Sequence, residues 1–402
     1  MPGPLHGVKI VDMTAVLLGP FATQHLADMG ADVIKVEPPE GDLLRLSGKG
    51  RSPDMGPIYM AAGRNKRSIC LDLKKPAALA VVKKMIETAD IFIHNSRPQA
   101  IERLGLGYED LKKINPRIIY AYSLGYKRSG PYGHKPAFDD LVQGASGAAS
   151  LQARIDGQRP KFMPSLIADK TTGLHLAVAV LGALYHRAHS GEGQMIEVPM
   201  LETLASFFLT DHLFGRTFHP PIGTMGYNRI INKYRHPFPT LDGYICALPY
   251  TDRHWERFFE LAERPDLARE PKFTDKRQRA AHFDELYQVL DDILRFRTTR
   301  EWLKLFDEAD IPAMPVNTLE DLLEDEHLNA TGFFVEREHP TEGTITTFAS
   351  PLDFEKTKTE YRRHAPRVGA DGLEVMKEHG FSEAEIAKLK DEKALLFPAS
   401  AA

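Results

Sequence analysis

A single carboxylate stands out at the start of the most apolar stretch of the chain. Pro164 and Ser165 signal a helix start, with Ser165 as the N-cap, and residues 174–185 are almost wholly apolar. Asp169 falls in the first turn of this predicted helix, where free backbone N–H groups and the helix dipole favour an ionised carboxylate and lower its pKa. The acid either complements the helix dipole only, or it performs chemistry.

The predicted helix continues to about His189, and Gly191 marks its end. Because residues 174–185 are apolar on every side, we expect the helix to lie buried in the core of a large domain. The stretch is too short to span a bilayer, so no membrane partner is predicted. Asp169 would therefore be a charged group close to the core, which calls for a reason.

Composition narrows the class of protein. The chain has 402 residues, enough for two domains, and its 43% hydrophobic and 26% charged residues are typical of a soluble globular protein. A net charge of −4 offers no basic surface for nucleic acid. Cys70 and Cys246 are too few for a disulfide framework or a cysteine-based zinc site, and no metal site is predicted. With no signal-peptide pattern at the N-terminus, the predicted location is cytoplasmic.

The N-terminal residues predict a βαβ unit, which implies a parallel sheet with a right-handed crossover. Its parts are a strand over 8–12, a helix over 21–28 and a strand over 32–37. The turn after the first strand lacks G-x-G-x-x-G, so the sheet is Rossmann-like but dinucleotide binding is not supported. Further strands are predicted at 69–73, 91–94, 118–123 and 194–198, and an irregular surface loop at 41–63.

The character of the sequence changes near Phe218-His219-Pro220-Pro221. Short strands around the Asp242-Gly243 turn, followed by helices at about 252–262, 284–296 and 299–309, predict an α+β domain. The predicted fold class is α/β. A Rossmann-like large domain spans 1–215, a small α+β domain spans 216–330, and a C-terminal segment, 331–402, returns to complete the large domain.

Short motifs across nearly the whole chain match, in order and spacing, those of one family. They include Gly30-Ala31-Asp32-Val33-Ile34-Lys35-Val36-Glu37, Asn65-Lys66-Arg67-Ser68, Ser129-Gly130-Pro131-Tyr132, Gly191-Glu192-Gly193-Gln194 and Ile311-Pro312-Ala313-Met314-Pro315-Val316. Together they resemble the class III CoA-transferases, the family of the formyl-CoA and carnitine CoA-transferases and of the 2-methylacyl-CoA racemases.

The resemblance gives Asp169 a chemical role. The family's nucleophile is an aspartate in an A-D-x-x-x-G motif at the start of a buried helix, which Ala168 to Gly173 match. A carboxylate is a weak nucleophile, but a thioester is an activated acyl donor. The resemblance implies that Asp169 forms an aspartyl anhydride with an acyl-CoA, then an aspartyl-CoA thioester, and hands CoA to an acceptor acid. Coenzyme A is a co-substrate, and no permanently bound cofactor is implied.

The family binds CoA in a groove at the carboxyl ends of the large domain's strands, as open α/β sheets bind their ligands. The matching positions here are Leu17, Leu18, Leu71, Asp72, Leu73, Lys74, Asn95, Ser96, Arg97, Arg103, Ala137, Phe138 and Asp139. Arg97 and Arg103 are candidates to pair with phosphates, since a guanidinium matches phosphate oxygens well. The alternative for each is an arginine on a solvated surface.

Four departures from the family's pattern bear on the substrate. Leu17 stands where the formyl-CoA:oxalate enzymes have a glutamine, and their glycine-rich loop over the active site has no counterpart, which argues against oxalate as acceptor. Pro38 replaces an arginine of the adenine side, whose contact Arg45 is a candidate to supply. Phe138 stands where the racemases have an acid/base histidine, and His134 lies four residues earlier, so transfer is favoured over racemisation.

The predicted function is CoA transfer between carboxylic acids, with a dicarboxylate such as succinate or glutarate as a candidate acceptor. An acceptor carboxylate calls for a cation, and Arg235 or His236 is a candidate, the alternative being a surface charge cluster. Two other functions stay open: an acyl-CoA racemase or epimerase on the same fold, and a CoA-binding protein without chemistry. The resemblance also implies an interlocked homodimer.

Overall fold

The protein is described by a computed structural model that covers residues 3–398, without the side chains of residues 274 and 280. The chain forms two compact units. The first contains the described residues of Met1–Ala148, Phe162–Phe208 and Ala330–Ala402, and the second contains Ala149–Lys161 and Leu209–Asn329. The second unit thus includes two segments, 149–161 and 209–215, that lie inside the predicted large-domain range of 1–215.

Strands and helices are numbered in chain order. The strands are β1 (Lys9–Met13), β2 (Asp32–Glu37), β3 (Lys66–Leu71), β4 (Ile91–His94), β5 (Ile119–Leu124), β6 (Met195–Pro199), β7 (Phe238–Pro239), β8 (Tyr244–Ala247), β9 (Ala313–Pro315), β10 (Phe334–His339), β11 (Gly343–Phe348) and β12 (Leu395–Leu396). The α-helices are α1 (Leu18–Asp28), α2 (Pro57–Ala62), α3 (Pro76–Ile86), α4 (Pro98–Arg103), α5 (Tyr108–Ile114), α6 (Asp139–Ala145), α7 (Ala148–Asp156), α8 (Ile167–Ser190), α9 (Met200–His212), α10 (Asp252–Leu261), α11 (Pro271–Thr274), α12 (Lys276–Ala281), α13 (Phe283–Leu294), α14 (Thr299–Glu308), α15 (Asp321–Glu324), α16 (Glu326–Ala330), α17 (Gly372–Glu378) and α18 (Glu383–Asp391).

The first unit is built on a seven-stranded sheet with the order β12-β3-β2-β1-β4-β5-β6. Strands β1 to β6 pair in parallel, and Ile10 of β1 lies opposite Val33 on one side and Ile91 on the other. Strand β12 pairs antiparallel with β3, so the C-terminal segment contributes the edge strand. Residues of α1 and α8 form one buried cluster, and residues of α3 and α5 form another. The predicted α/β class with a large parallel sheet is confirmed.

Strand β3 begins three residues earlier than the predicted strand at 69–73. Its first residues, Lys66, Arg67 and Ser68, are polar and yet buried, which a hydrophobic pattern cannot indicate. The Lys66 ammonium donates to Thr23 Oγ1 over 2.7 Å, and Arg67 pairs with Asp32 over 2.6 Å. Because neighbouring elements supply these partners, charged residues are accommodated in the interior of the sheet.

The segment 41–63 is not the irregular surface loop that its composition predicts. It contains a 3-10 helix, Leu43–Leu46, and α2, and both Arg45 and Tyr59 are buried. The Arg45 guanidinium pairs with both carboxylate oxygens of Glu37 at 2.7 Å and donates to Tyr59 Oη at 2.6 Å. With 1% of its surface exposed, Arg45 presents no guanidinium to a ligand, so the expected adenine contact is wrong.

Helix α8 spans 24 residues and ends at Gly191, whose φ of +79° suits glycine. By length and composition alone it is long enough to cross a membrane, so the prediction that it is too short is wrong. Core helices meet the same criteria, and Leu176 and Val180 are buried in the first unit. The helix is not buried on every side as predicted, because Val178 is 67% and Tyr185 71% exposed.

The second unit contains a three-stranded antiparallel sheet with the order β7-β8-β9. Strands β7 and β8 flank the predicted Asp242-Gly243 turn, and the three helices predicted after it are α10, α13 and α14. The buried core of this unit is rich in aromatic residues, among them Trp255, Phe258 and Trp302. This unit therefore has its own hydrophobic core.

Candidate active site

A cavity of about 350 Å³ opens at the carboxyl ends of β1, β4 and β5 in the first unit. The chain first adds β2 and β3 on one side of β1, and then crosses back to add β4 on the other side. The direction of strand addition therefore reverses between β1 and β4, which makes this pair a switch point in the sheet. Open α/β sheets bind ligands outside the carboxyl ends of the strands at such a point. The lining residues are Ala15, Val16, Leu18, Asn95, Ser96, Arg97, Pro98, Gln99, Ser123, Leu124, Gly125, Tyr126, Gly133, His134, Lys135, Pro136, Ala137, Phe138, Asp169 and Met200.

The turn from β1 to α1 is held in a strained conformation at the wall of this cavity. Val16 has φ of +64°, which a β-branched residue rarely adopts. The Asn95 amide accepts from the Ala15 N–H over 2.9 Å and donates to the Ala15 carbonyl over 2.7 Å. Asp42 accepts from the Val16 N–H over 2.9 Å. These side chains fix the turn from both sides and offset a strain of about 1–3 kcal/mol.

A buried charge cluster lies behind this turn and consists of Asp12, Lys35, Asp42 and Lys66. Asp12 accepts from Thr23 Oγ1 over 2.6 Å and lies 3.5 Å from the Lys66 ammonium. Lys35 pairs with Asp42 over 2.7 Å and also donates to the Thr14 carbonyl of the β1–α1 turn over 2.8 Å. Burial alone would raise the pKa of Asp12, but Lys66 and Lys35 hold that pKa below its ordinary value.

The start of α8 is capped by Asp139 and not, as predicted, by Ser165. Asp139 Oδ1 accepts from the backbone N–H groups of Ala168 and Asp169 at 2.8 and 3.0 Å. Its other oxygen accepts from the Gln143 amide at 2.6 Å. Residue 166, the N-cap position, makes no side-chain cap. A carboxylate from α6 therefore satisfies the free N–H groups of α8, a tertiary contact that the local sequence does not indicate.

Helices α1 and α8 touch where Gly173 faces the first turn of α1. A Cβ atom added at Gly173 would lie 2.7 Å from the Leu18 carbonyl oxygen, closer than such atoms approach. Glycine at this position thus allows the start of α1 to lie against α8. The close approach brings Leu18 and Asp169 to the same cavity.

Asp169 is 8% exposed and lies at the cavity wall. Within residues 3–398, no group hydrogen-bonds to its carboxylate oxygens, and its backbone N–H donates to Asp139 Oδ1. Burial, and then the nearby Asp139 carboxylate, raise the pKa of Asp169 from 3.8 to about 7. The expectation that the helix start lowers this pKa is therefore wrong, because burial outweighs the helix start and the residue that caps the helix is itself an acid.

Several predicted site residues meet in this cavity. Besides Asp169, they are Leu18, Asn95, Ser96, Arg97, Ala137 and Phe138. Asn95 also has a structural role in holding the β1–α1 turn. Arg97 is exposed at the cavity wall, and Phe138 is 64% exposed there. Their proposed contacts with CoA stay predictions.

The other predicted positions lie outside this cavity, and for them CoA binding likewise stays a prediction. The Leu17 side chain packs with Leu44 and Tyr59. Leu71 is the last residue of β3, and its side chain is part of the buried hydrophobic core. Asp72, Leu73 and Lys74 follow β3, two strands away from β1. Arg103 is exposed and donates to the Gln99 carbonyl over 3.0 Å. Asp139 contacts the start of α8 instead of lining the cavity.

Sequence reasoning missed several residues that line or shape the cavity. Val16 and Asp42 position the β1–α1 turn, and Lys135 and Met200 line the cavity wall. A signal existed only for Val16, which lies in the turn after the first strand where such sheets bind ligands. Asp42 lies in the segment predicted to be a surface loop, and the place of Met200 depends on the strand order, which a single sequence does not state.

The family model and the similar proteins agree on one family for this chain. The model of "CoA-transferase family III" matches residues 5–372 of this chain. The succinate–glutarate CoA-transferase of Agrobacterium fabrum is 32% identical over 383 residues, which cover 93% of this chain and 95% of that protein. The human succinyl-CoA:glutarate CoA-transferase is 30% identical over 379 residues, which cover 93% of this chain and 86% of that protein.

Solved structures agree with the sequence comparison. The crystal structure of a CaiB/BaiF family protein from Brucella suis matches with a TM-score of 0.80 at 27% identity. The match covers 94% of this chain and all of that one. A family match over most of the chain, together with relatives of nearly the same length, leads to one conclusion: the chain belongs to CoA-transferase family III and is a CoA-transferase.

Proposed function

We propose that this enzyme transfers CoA from an acyl-CoA to a carboxylic acid with Asp169 as the nucleophile. The observation that carries the proposal is the state of that carboxylate. It is buried at the wall of the cavity at the carboxyl ends of the strands, and no described residue hydrogen-bonds to it. A carboxylate without such bonds loses no hydrogen bond to the protein when one of its oxygens attacks a substrate.

The proposed chemistry needs only Asp169 and the substrates. An Asp169 oxygen attacks the thioester carbonyl, the C–S bond breaks, and a mixed anhydride and CoA thiolate form. The thiolate attacks the aspartyl carbonyl, which releases the first acid as a carboxylate and leaves an aspartyl-CoA thioester. The acceptor carboxylate attacks this thioester, and the thiolate then takes the acceptor acyl group and regenerates Asp169. No net proton is consumed, so covalent catalysis by one carboxylate is sufficient.

The raised pKa of Asp169 suits this role. With a pKa of about 7, the ionised form is present at neutral pH, and it is a stronger base than an ordinary aspartate. Burial removes water that would otherwise solvate the charge, so the carboxylate reacts from a less stabilised state. The same environment predicts that the reaction slows as the pH falls through about 7.

A dicarboxylic acid is the acceptor class that we favour. The relatives from Agrobacterium fabrum and human are named for succinate and glutarate. Arg97, His134 and Lys135 line the Asp169 cavity, and within the described residues none of them pairs with a carboxylate. A dicarboxylate has one carboxylate to react and a second one to bind a cation. The alternative role for Arg97 and Lys135 is to bind the phosphates of CoA. Arg235 and His236 remain alternative partners, although His236 lies 3.9 Å from Asp291.

The covalent step is tested by mass spectrometry. The protein is mixed with succinyl-CoA or glutaryl-CoA, quenched with hydroxylamine and digested. We expect a hydroxamate on the peptide that contains Asp169, and none in Asp169→Asn. Asp140→Asn, which removes a neighbouring exposed acid, should keep the adduct. A hydroxamate on another residue, or an adduct that survives Asp169→Asn, would refute the proposal.

An acyl-CoA racemase is the second candidate, and one observation favours it. His134 lines the same cavity as Asp169, although Phe138 stands where the racemases have their histidine. Two groups that can exchange a proton with an α-carbon are the requirement for racemisation. Deuterium uptake at the α-carbon of a 2-methylacyl-CoA, lost in His134→Ala and without an aspartyl adduct, would favour racemisation over CoA transfer.

We also propose a homodimer, interlocked as in the family that the sequence resembles. Leu174, Val178 and Tyr185 are spaced along α8 and are 47%, 67% and 71% exposed. These large side chains follow one another at intervals of about one and about two helical turns, so they share one face of the helix. A second copy of the chain would bury them. Light scattering should give twice the chain mass of 45.1 kDa, and Val178→Glu should lower it.

A further inference from the structure

The second unit contains a cavity of about 410 Å³ that none of the proposed chemistry uses. Its volume falls within the range of roughly 300–1,000 Å³ found for small-molecule sites. All of its lining belongs to the second unit, namely Phe214, Tyr227, Asn228, Arg229, Leu248, Pro249, Tyr250, Trp255, Lys276, Arg279, Phe283, Leu286, Tyr287 and Leu290. It shares no residue with the Asp169 cavity.

The cavity wall contains two stacked aromatic pairs. The rings of Phe214 and Tyr227 lie 5.5 Å apart at an angle of 20°, and those of Phe283 and Tyr287 lie 6.0 Å apart at 19°. Phe214 and Tyr250 are about half exposed, so parts of these rings are not covered by the protein. Flat ring faces that line a cavity favour a planar apolar guest, because such a guest can stack on them.

Two cations lie at the same rings without a carboxylate partner. The Arg229 guanidinium is 5.5 Å from the centroid of Tyr250 and 5.7 Å from that of Phe283, and its Nε donates to Tyr287 Oη over 3.4 Å. The Lys276 ammonium is 5.9 Å from the Tyr250 centroid. Throughout residues 3–398, neither cation forms an ion pair with an acidic side chain.

The contrast with neighbouring cations makes this arrangement informative. Arg279, also at the cavity, donates to Asp252 and to the Phe273 carbonyl. Lys272 lies near two acids, Glu270 and Glu285, at 3.0 and 2.7 Å. Arg229 is only partly exposed, and aromatic rings around a cation replace part of its hydration but do not neutralise it. An anionic group in the cavity would pair with the Arg229 guanidinium and neutralise its charge.

We propose that this cavity binds a planar organic carboxylate, with its carboxylate at Arg229 and Lys276 and its apolar body among Tyr227, Tyr250 and Phe283. The site does not depend on the proposed transfer chemistry, because it uses none of the residues around Asp169. It gives the second unit a ligand-binding role of its own, for an aromatic acid that need not be a substrate.

Isothermal titration calorimetry of the full-length protein with 2-naphthoate tests the proposal. Octanoate keeps the charge without the planar rings, and 2-naphthamide keeps the rings without the charge. We expect 2-naphthoate to bind one-to-one, at least about tenfold tighter than either comparator, because it alone offers both a charge-assisted hydrogen bond and ring stacking.

Variants locate the binding and control for misfolding. Arg229→Gln should weaken 2-naphthoate about tenfold or more, and Lys276→Gln less, since Lys276 is the more exposed of the two. Arg229→Lys keeps a cation and should retain most of the affinity. Arg253→Gln removes an exposed arginine of the same unit that does not line the cavity, and should have no effect.

Binding of the amide or of octanoate as tightly as 2-naphthoate would overturn the assignment of ligand class. Unchanged affinity in folded Arg229→Gln, or no heat with 2-naphthoate at about 1 mM, would overturn the site itself. Because Asp169→Asn should leave 2-naphthoate binding intact, failure of this proposal is distinguishable from failure of the proposed transfer mechanism.

Discussion

Asp12 and Asp169 are both buried carboxylates of the first unit, and their surroundings are opposite. Asp12 is bonded to Thr23 and lies near Lys66, and the cluster lowers its pKa. Asp169 has no bond to its oxygens from the described residues, a second carboxylate caps its helix, and its pKa is raised to about 7. Burial alone therefore does not set the role of an acid. A satisfied carboxylate stabilises the fold, and an unsatisfied one remains available for chemistry.

The largest expected effect is a loss of CoA-transfer activity on substitution of Asp169. Asp169→Asn removes the proposed nucleophile and should lower the CoA-transfer rate by at least about 10³-fold, because no other described residue that lines the cavity has a carboxylate to form the anhydride. Steady-state transfer from succinyl-CoA to glutarate measures this loss. The fold should be retained, as circular dichroism would show. A variant with more than about a tenth of the wild-type rate would contradict the assignment of Asp169.

The second effect is on stability and belongs to Asp12. Asp12→Asn leaves the buried Lys66 and Lys35 without the carboxylate they share, and breaking such a cluster costs about 3–5 kcal/mol of unfolding free energy. Urea unfolding followed by circular dichroism measures it. Asp110→Asn is a matched control, since the Asp110 side chain is about half exposed and pairs with the exposed Lys113 over 3.7 Å. That control should change by less than about 1 kcal/mol. Equal effects of the two variants would show that the buried cluster is not stabilising.

The third prediction is a gain in stability, in contrast to the loss expected for Asp12→Asn. A carboxyl group whose pKa is raised in the folded state destabilises the fold once it ionises, so its cost is absent below about pH 4 and complete above about pH 7. The difference between 3.8 and about 7 corresponds to at most about 4 kcal/mol. Asp169→Asn should therefore raise the melting temperature at pH 8 and have little effect near pH 4. An equal gain at both pH values would contradict the raised pKa.

The smallest effect tests the cause of that pKa. Asp139→Asn keeps an oxygen to cap α8 but removes its charge, so the pKa of Asp169 should fall but stay above its ordinary value, because burial is the larger cause. The pH dependence of hydroxamate formation should shift to lower pH accordingly. Asp140→Asn changes an exposed neighbour and should leave the profile in place. A shift to higher pH would mean that Asp139 acts through something other than its charge.

Much of the architecture follows from the sequence because its signals are local. Strand β2 and strand β4 have the predicted bounds, and the Asp242-Gly243 turn joins β7 and β8 as expected. The end of α8 at Gly191 also follows, since a left-handed residue at that position favours glycine. An acid in the first turn of a strongly apolar helix is likewise a local signal, and it is enough to single out Asp169.

The parts that could not be predicted depend on partners distant in sequence. The cap of α8 comes from Asp139, 30 residues before Asp169, and its charge adds to burial, the larger cause, in raising the Asp169 pKa. Arg45 and Lys66 have charged side chains that suggest exposure, and partners distant in sequence, Glu37 and Asp12 among them, make their burial possible. Hydrophobic pattern cannot anticipate such pairs, so the predictions for the segment 41–63 and for the start of β3 are wrong.

Strand β12 has a consequence for the order in which the protein is made. Leu395 pairs with Leu71, so the strand that covers the β3 edge emerges 324 residues after its partner. At roughly 5–20 residues per second, a ribosome would leave that edge uncovered for on the order of 15–65 s. An open strand edge can pair with another chain. Chains that stop before Leu395 would lack β12 and leave this edge uncovered permanently, so protection of the edge depends on synthesis of Leu395 and Leu396.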